Sequence, residues 1–314
     1  MEGFRGEVVT DPDGRPLYGT LAKDKAFDGA VYKAGTIVVF RPDGRVGAGT
    51  LAADTTVQGL RLRGGATVSF GCDLDKPKWC DSATGKRRLE KGTLAAPAEI
   101  DGAKYATGTE LHFFVPWEKG FTRHHKYGLL SVLLSADTEI HGSTYAGGSR
   151  VLFDTESRQV SNGTLAKAAT VAGVEFPAGS SFTTSSGKLR EVTIATDTTL
   201  RGVVFKGGTA LIFMGDRVDG TLAGDTTIDG RPYRGGSALG LFANGKVSFG
   251  LTTADVVVDG QAYRAGRVGF FDDGQIRIGT LAARTQINGA TYEAGTELYF
   301  EQPGVVKTAT PSPR

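Results

Sequence analysis

Apolar and polar residues alternate one for one over short stretches of this chain, and glycine repeatedly cuts the alternation. Val68 and Phe70 fall on one side of such a stretch and Ser69 on the other, and Thr296, Leu298 and Phe300 repeat the arrangement near the end of the chain. A period of two is the mark of a half-buried strand. Nowhere do apolar residues recur at helical spacing over three turns, so almost no helix is expected.

The stretches themselves recur. Gly220-Thr221-Leu222-Ala223 leads to Asp225-Thr226-Thr227-Ile228-Asp229-Gly230, then to Tyr233, Gly236, Leu239, Leu241, Gly245 and Val247. The same succession starts at Gly19, Gly49, Gly92, Val132, Gly163, Val192, Gly220, Gly250 and Gly279, which makes nine copies of a roughly thirty-residue unit. Two intervals, Gly49 to Gly92 and Gly92 to Val132, are longer by about ten residues. This divides the chain into an N-terminal cap strand at 1–18, nine repeats over 19–304 with insertions at 71–91 and 114–127, and a flexible tail at 305–314.

Each unit carries two turn signals. Asp43-Gly44, Ser186-Gly187, Asn244-Gly245 and Asp273-Gly274 join two longer strands into a hairpin, and Asp28-Gly29, Asp101-Gly102, Asp229-Gly230, Asp259-Gly260 and Asn288-Gly289 mark a second, tighter reversal. An aromatic follows that second turn in most copies: Tyr32, Tyr105, Tyr145, Phe176, Phe205, Tyr233, Tyr263 and Tyr292. These read as a core ladder, because one unit has too little apolar surface to stand alone and must share its core with its neighbours. The expected fold is all-β, an elongated, solenoid-like stack of antiparallel β-hairpins, with a parallel β-helix as the alternative.

The string Leu-Ala-x-Asp-Thr-Thr-Ile-x-Gly-x-x-Tyr-x-x-Gly at Leu222 to Gly236, with weaker copies at Leu51 to Gly65 and Leu281 to Gly295, resembles repeats of uncharacterised bacterial β-repeat proteins. In layout it is also similar to hairpin-stacking MORN repeats, although their Tyr-x-Gly-x-Trp signature is absent. What the second resemblance implies is scaffolding or surface binding by analogy of fold, with no catalytic residue carried over.

Composition narrows the chemistry. The formal charge is +2, from 36 basic and 34 acidic residues spread through the chain, so no global field draws nucleic acid or an acidic membrane. The apolar runs are too short to span a bilayer, and Met1 to Thr10 lacks the apolar core of a signal peptide. A leader removed ahead of Met1 would place the chain outside the cytoplasm, in the extracellular space or periplasm; otherwise it is cytoplasmic. The row Asp24, Asp54, Asp137, Asp197, Asp225 and Asp255 offers one carboxylate per unit, far fewer oxygens than a calcium ion requires, and reads as turn capping through nearby backbone. Nucleophile elbows, phosphate loops, His-Glu-x-x-His and Cys-x-x-Cys are all missing from the sequence, and no cofactor is expected.

The rare residues gather where the repeat is broken. Cys72, Cys80 and Trp79 fall in the first insertion and Trp117 in the second, and His112, His124, His125 and His141 lie in or beside the second. Cys72 and Cys80 form a small disulfide loop in an oxidising compartment and stay free thiols in a reducing one; a zinc site joining them to two of His112, His124 and His125 is the third reading. Insertions in adjacent repeats leave from the same edge of a stack, so the two should meet in space. Together Trp79, Lys86, Arg87, Arg88, Trp117, Arg123, His124 and His125 form the candidate binding set, basic and aromatic. The function expected is a non-enzymatic structural or assembly repeat protein with a recognition patch on the two insertions, its partner another protein or a second copy of itself. The alternative is an adhesin-like module for glycan or another anionic polymer; the third choice is an enzyme built on the histidine cluster, supported by no motif.

Overall fold

The computed structural model of the protein describes residues 3–73, 86–114 and 127–311, and these fall into two compact units, Met1–Ala169 and Thr170–Arg314. The described residues contain strands and turns and no helix. In the first unit ten strands run as an antiparallel meander: Phe4–Thr10, Pro16–Leu21, Ile37–Phe40, Val46–Thr50, Thr67–Asp73, Lys86–Thr93, Glu110–Phe114, Gly128–Leu133, Arg150–Phe153 and Val160–Thr164. The second unit has ten of its own: Ser181–Ser185, Lys188–Thr193, Ala210–Met214, Arg217–Thr221, Ala238–Leu241, Val247–Leu251, Arg267–Phe270, Ile276–Thr280, Glu297–Gln302 and Val305–Thr310. Every pairing within these two sets of strands is antiparallel, so the fold is the hairpin array and not a parallel β-helix.

Between successive long hairpins the chain makes a miniature one with three-residue strands, such as Lys25–Phe27 with Ala30–Tyr32 and Thr226–Ile228 with Arg231–Tyr233. Nine of these occur among the described residues. Each reverses through two consecutive residues of positive φ, for example Asp229 at 50° and Gly230 at 73°, the pattern of a type I′ turn whose twist suits paired strands. Short apolar strands face the long sheet across a shared core: Val38, Val68, Leu111, Val132 and Val151 in the first unit, and Leu211, Leu239, Val268 and Leu298 in the second, are fully buried.

The aromatic ladder locks one repeat to the next. Tyr32, Tyr145, Phe205, Tyr233 and Tyr263 each make a β-bridge to residue Leu51, Leu165, Leu222, Thr252 or Leu281 of the following unit, with Leu62 playing the same part toward Leu94. The residues flanking the aromatic complete the join, as where the Lys33 N–H donates to Thr50 O and the Ala52 N–H to Val31 O. This is why the unit opens on glycine: a Cβ on Gly49 would come within 2.6 Å of the Tyr32 ring, and one on Gly250 within 2.8 Å of Tyr233. Tyr292, which makes no such bridge among the described residues, is only half-buried.

Three expectations change. The aspartates do not cap their own turns: each accepts the N–H ten residues onward, Asp24 from Ala34, Asp54 from Gly64, Asp137 from Gly147, Asp197 from Gly207, Asp225 from Gly235 and Asp255 from Ala265, at 2.7–2.9 Å. They staple the base of the small hairpin, a span that local turn rules do not reach. The start of the chain is a two-stranded hairpin, Phe4–Thr10 with Pro16–Leu21, rather than a single cap strand. Residues 305–310, read as flexible tail, form the last strand of the second unit, because Val305 and Val306 supply the partner that the apolar edge of Glu297–Gln302 needs.

Candidate functional site

Both insertions rise from the ends of neighbouring hairpins in the first unit. Asp73 pairs with Lys86 at the mouth of one and Phe114 with Gly128 at the mouth of the other. The two hairpins are adjacent in the sheet, joined by Lys91 to His112, Gly92 to Leu111 and Thr93 to Glu110. Their roots touch through Tyr127. Its ring stacks on Phe113 at 5.2 Å and 9°, its hydroxyl donates to Leu89 O at 2.9 Å, and the Arg88 guanidinium lies over it at 5.0 Å. Burial pushes the Tyr127 phenol up to about 12.

Of the candidate residues, Trp79, Cys80, Trp117, Arg123, His124 and His125 lie outside the described residues. Cys72 and Lys86 are placed by backbone alone, Cys72 opposite Arg87 and Lys86 opposite Asp73. Arg88 stands at the junction of the roots. Arg87 is turned into the protein instead of onto a shared surface. Its guanidinium lies 3.4 Å from the centre of the Phe70 ring, pairs with Asp28 at 3.3 Å and donates to Tyr32 Oη at 3.2 Å, and its side chain is only 16% exposed. An alternating strand sends Arg87 and Arg88 to opposite sides, which explains why neighbours in sequence have different fates.

On the sheet face opposite the core, Glu110 gathers Lys91 at 3.2 Å, His112 at 2.7 Å and Arg150 at 3.8 Å. Burial works to raise the Glu110 carboxyl, but hydrogen bonds from His112 and Lys91 outweigh it and hold the group below the usual carboxylate range. His112 is thus engaged by a carboxylate beside the insertion roots. His141 sits elsewhere, at a small-hairpin turn with φ of 50°. Among the described residues no three His, Cys, Asp or Glu side chains converge as a metal site.

A feature that motif reading missed is a recurring slot at the turn edge of the small hairpins. Its walls are the turn aspartate and ladder tyrosine of one repeat and the hairpin phenylalanine of the next. Asp28, Tyr32 and Phe70 enclose Arg87; Asp101, Tyr105 and Phe153 enclose Arg158, leaving a cavity of only about 10 Å³; Phe270, next to Asp229 and Tyr233, carries Arg231 at 4.6 Å. Arg87 and Arg158 stand at the same place in their hairpins, two residues before Leu89 and Val160, the residues opposite Phe70 and Phe153. The regular spacing of Asp, Tyr and Phe, with an arginine ahead of the return strand, is the sequence signal for these slots. Matched against family models and against curated proteins, the chain corresponds to none of either.

Proposed function

We propose that the protein is a non-enzymatic repeat scaffold that recognises an acidic polypeptide through its two insertions. The repeat array is the frame: interchangeable hairpins share one core within each unit. The single observation that carries the reading is the contact between the roots, where Arg88, Tyr127 and Phe113 join the mouths of the insertions on adjacent hairpins. Two loops bearing Trp79, Trp117, Lys86, Arg123, His124 and His125 leave from this common base, and aromatic and basic side chains are the types that concentrate binding energy at interfaces. Arg87 is committed to Asp28 and does not belong to the binding set.

Both tryptophans of the chain lie in the insertions, so intrinsic tryptophan fluorescence reports on them alone. Titration with poly-glutamate should shift that fluorescence saturably, and the effect should weaken as salt is raised. Trp117→Ala together with Arg123→Ala should weaken binding by about tenfold or more while melting stays within about 1 kcal/mol of wild type. A fluorescence signal indifferent to poly-glutamate, or a double variant that binds as well as wild type, would contradict recognition by the insertions.

A further inference from the structure

The walls of the arginine slot occur a fourth time, at the end of the second unit, without an arginine. Asp259 corresponds to Asp28 and Asp101, Tyr263 to Tyr32 and Tyr105, and Phe300 to Phe70 and Phe153. The position of Arg87 and Arg158, two residues before the partner of the phenylalanine, is Gly304, because Val306 pairs with Phe300. The surrounding bonds are reproduced as well: Asn288 Nδ2 donates to Gly304 O at 2.8 Å, as Gln58 Nε2 donates to Arg87 O at 2.7 Å. Gln261 stands where Arg231 stands in the repeat before, one residue past the turn glycine. Both registers that deliver an arginine elsewhere therefore deliver none here.

What remains is an open cleft of about 250 Å³ lined by Asp259, Tyr263 and Phe300, with Gln261, Gln275 and Gln286 among its other walls. Asp28 accepts the Val46 N–H and pairs with Arg87, whereas Asp259 has no hydrogen bond or ion pair within the described residues. The Asp259 carboxylate sits beside the Tyr263 phenol, which burial first and this carboxylate second push up to about 12. A planar cation seated on the Phe300 ring with its edge toward Asp259 would meet the contacts that Arg87 makes in its own slot. Guanidinium suits such a site better than ammonium, since it stacks on a ring and donates from its edge together.

We propose that this cleft is a receptor for an arginine side chain supplied by a partner polypeptide. A polypeptide fits better than the free amino acid: Arg87 and Arg158 are presented by uncharged backbone, and no cation lines the cleft to meet an α-carboxylate. The site is built from residues of the second unit alone.

The test is a titration of the full chain with N-acetyl-L-arginine methylamide, followed by NMR shifts of the Gln286, Asn288 and Gly304 amides. Saturable shifts at these positions are expected, with the matching capped lysine and free L-arginine each weaker by about tenfold or more. Gln261→Arg, which places an arginine in the register of Arg231, should abolish binding and raise Tm, and Asp259→Asn should weaken binding by about tenfold or more with the fold intact. Absence of saturable shifts with the capped arginine, equal binding of capped lysine, or binding that persists in Gln261→Arg would overturn the guanidinium site. Free L-arginine binding more tightly than the capped form would overturn the polypeptide as its source.

Discussion

At the scale of single residues, two kinds of glycine do different jobs, and substitution separates them. Gly289 has φ of 81° and open space where a Cβ would go, so Gly289→Val introduces backbone strain alone and is expected to cost about 1–3 kcal/mol. Gly250 is different. A Cβ there would lie 2.8 Å from both Tyr233 and Leu239, so Gly250→Val should overpack the join between repeats and cost about 2–4 kcal/mol. Thermal melts of the two variants check both values, and equal, negligible losses would contradict the assignments. Arg87→Ala is expected to destabilise by about 2–4 kcal/mol, because it leaves the Asp28 carboxylate without its cation and the Phe70 ring uncovered. An exposed arginine such as Arg15, 61% open beside Asp13, should show almost no change on the same substitution.

At the scale of elements, two joins within the array depart from the rest. The unit opens on Val132 and Val192 where the others have glycine, and Leu134 and Ile194 carry no bridge to the ladder residues Tyr105 and Phe176. A branched residue stands where glycine elsewhere lets the ladder side chain approach closely, and the small hairpin makes no such backbone bridge there. Side chains replace it. Ser135 N–H turns to Thr109 Oγ1 at 3.4 Å and Ala195 N–H to Ser180 Oγ at 3.1 Å, and Thr109 and Ser180 are fully buried. Thr109→Val, which deletes the hydroxyl that accepts the Ser135 N–H from a fully buried residue, should therefore cost about 1–2 kcal/mol, while Thr209→Val, whose hydroxyl only caps Lys206 O at an exposed turn, should cost about 1 kcal/mol or less.

The ladder also sets the response to alkali. Burial raises the phenols of Tyr105, Tyr233 and Tyr263, the last two to about 12. A folded-state value above the unfolded one means that this stability is complete below the ordinary tyrosine range, near 10, and is lost as pH climbs toward 12. Tyrosinate absorbance and unfolding should thus rise together in that window; titration of these phenols in a still-folded protein would contradict their burial.

The hairpins, their turns and the aromatic ladder were legible in the sequence because each rests on local chemistry that recurs along the array: a period of two, an Asp-Gly or Asn-Gly pair at five of the nine small turns, an aromatic at fixed offset in eight of the nine units. The staple from Asp24 to Ala34 and the enclosure of Arg87 by Asp28 were not, since both join residues that only the folded register brings together. Arg87 shows the difficulty most directly. Its neighbours Lys86 and Arg88 suggest a basic surface, but strand alternation and a slot built by residues 28, 32 and 70 decide where it points.

At the scale of the molecule, the array supplies two units of nearly uniform construction, and chemical variety is concentrated in departures from the repeat. Near the insertion roots Glu110 is held by His112 and Lys91, and its lowered carboxyl value means that its contribution is present above the ordinary carboxylate range and fades as pH falls through the folded value. Glu110→Gln should flatten the acid limb of the stability curve, and an acid limb unchanged in that variant would contradict the role given to this carboxylate. The central claim, that the repeats fold and the insertions recognise, is tested most directly by replacing residues 74–85 and 115–126 each with a two-residue Asn-Gly turn and measuring melting and poly-glutamate binding on the same preparation. The result expected is a melt within about 1 kcal/mol of wild type with binding lost; a trimmed protein that no longer folds, or one that binds poly-glutamate as strongly as the full chain, would contradict it.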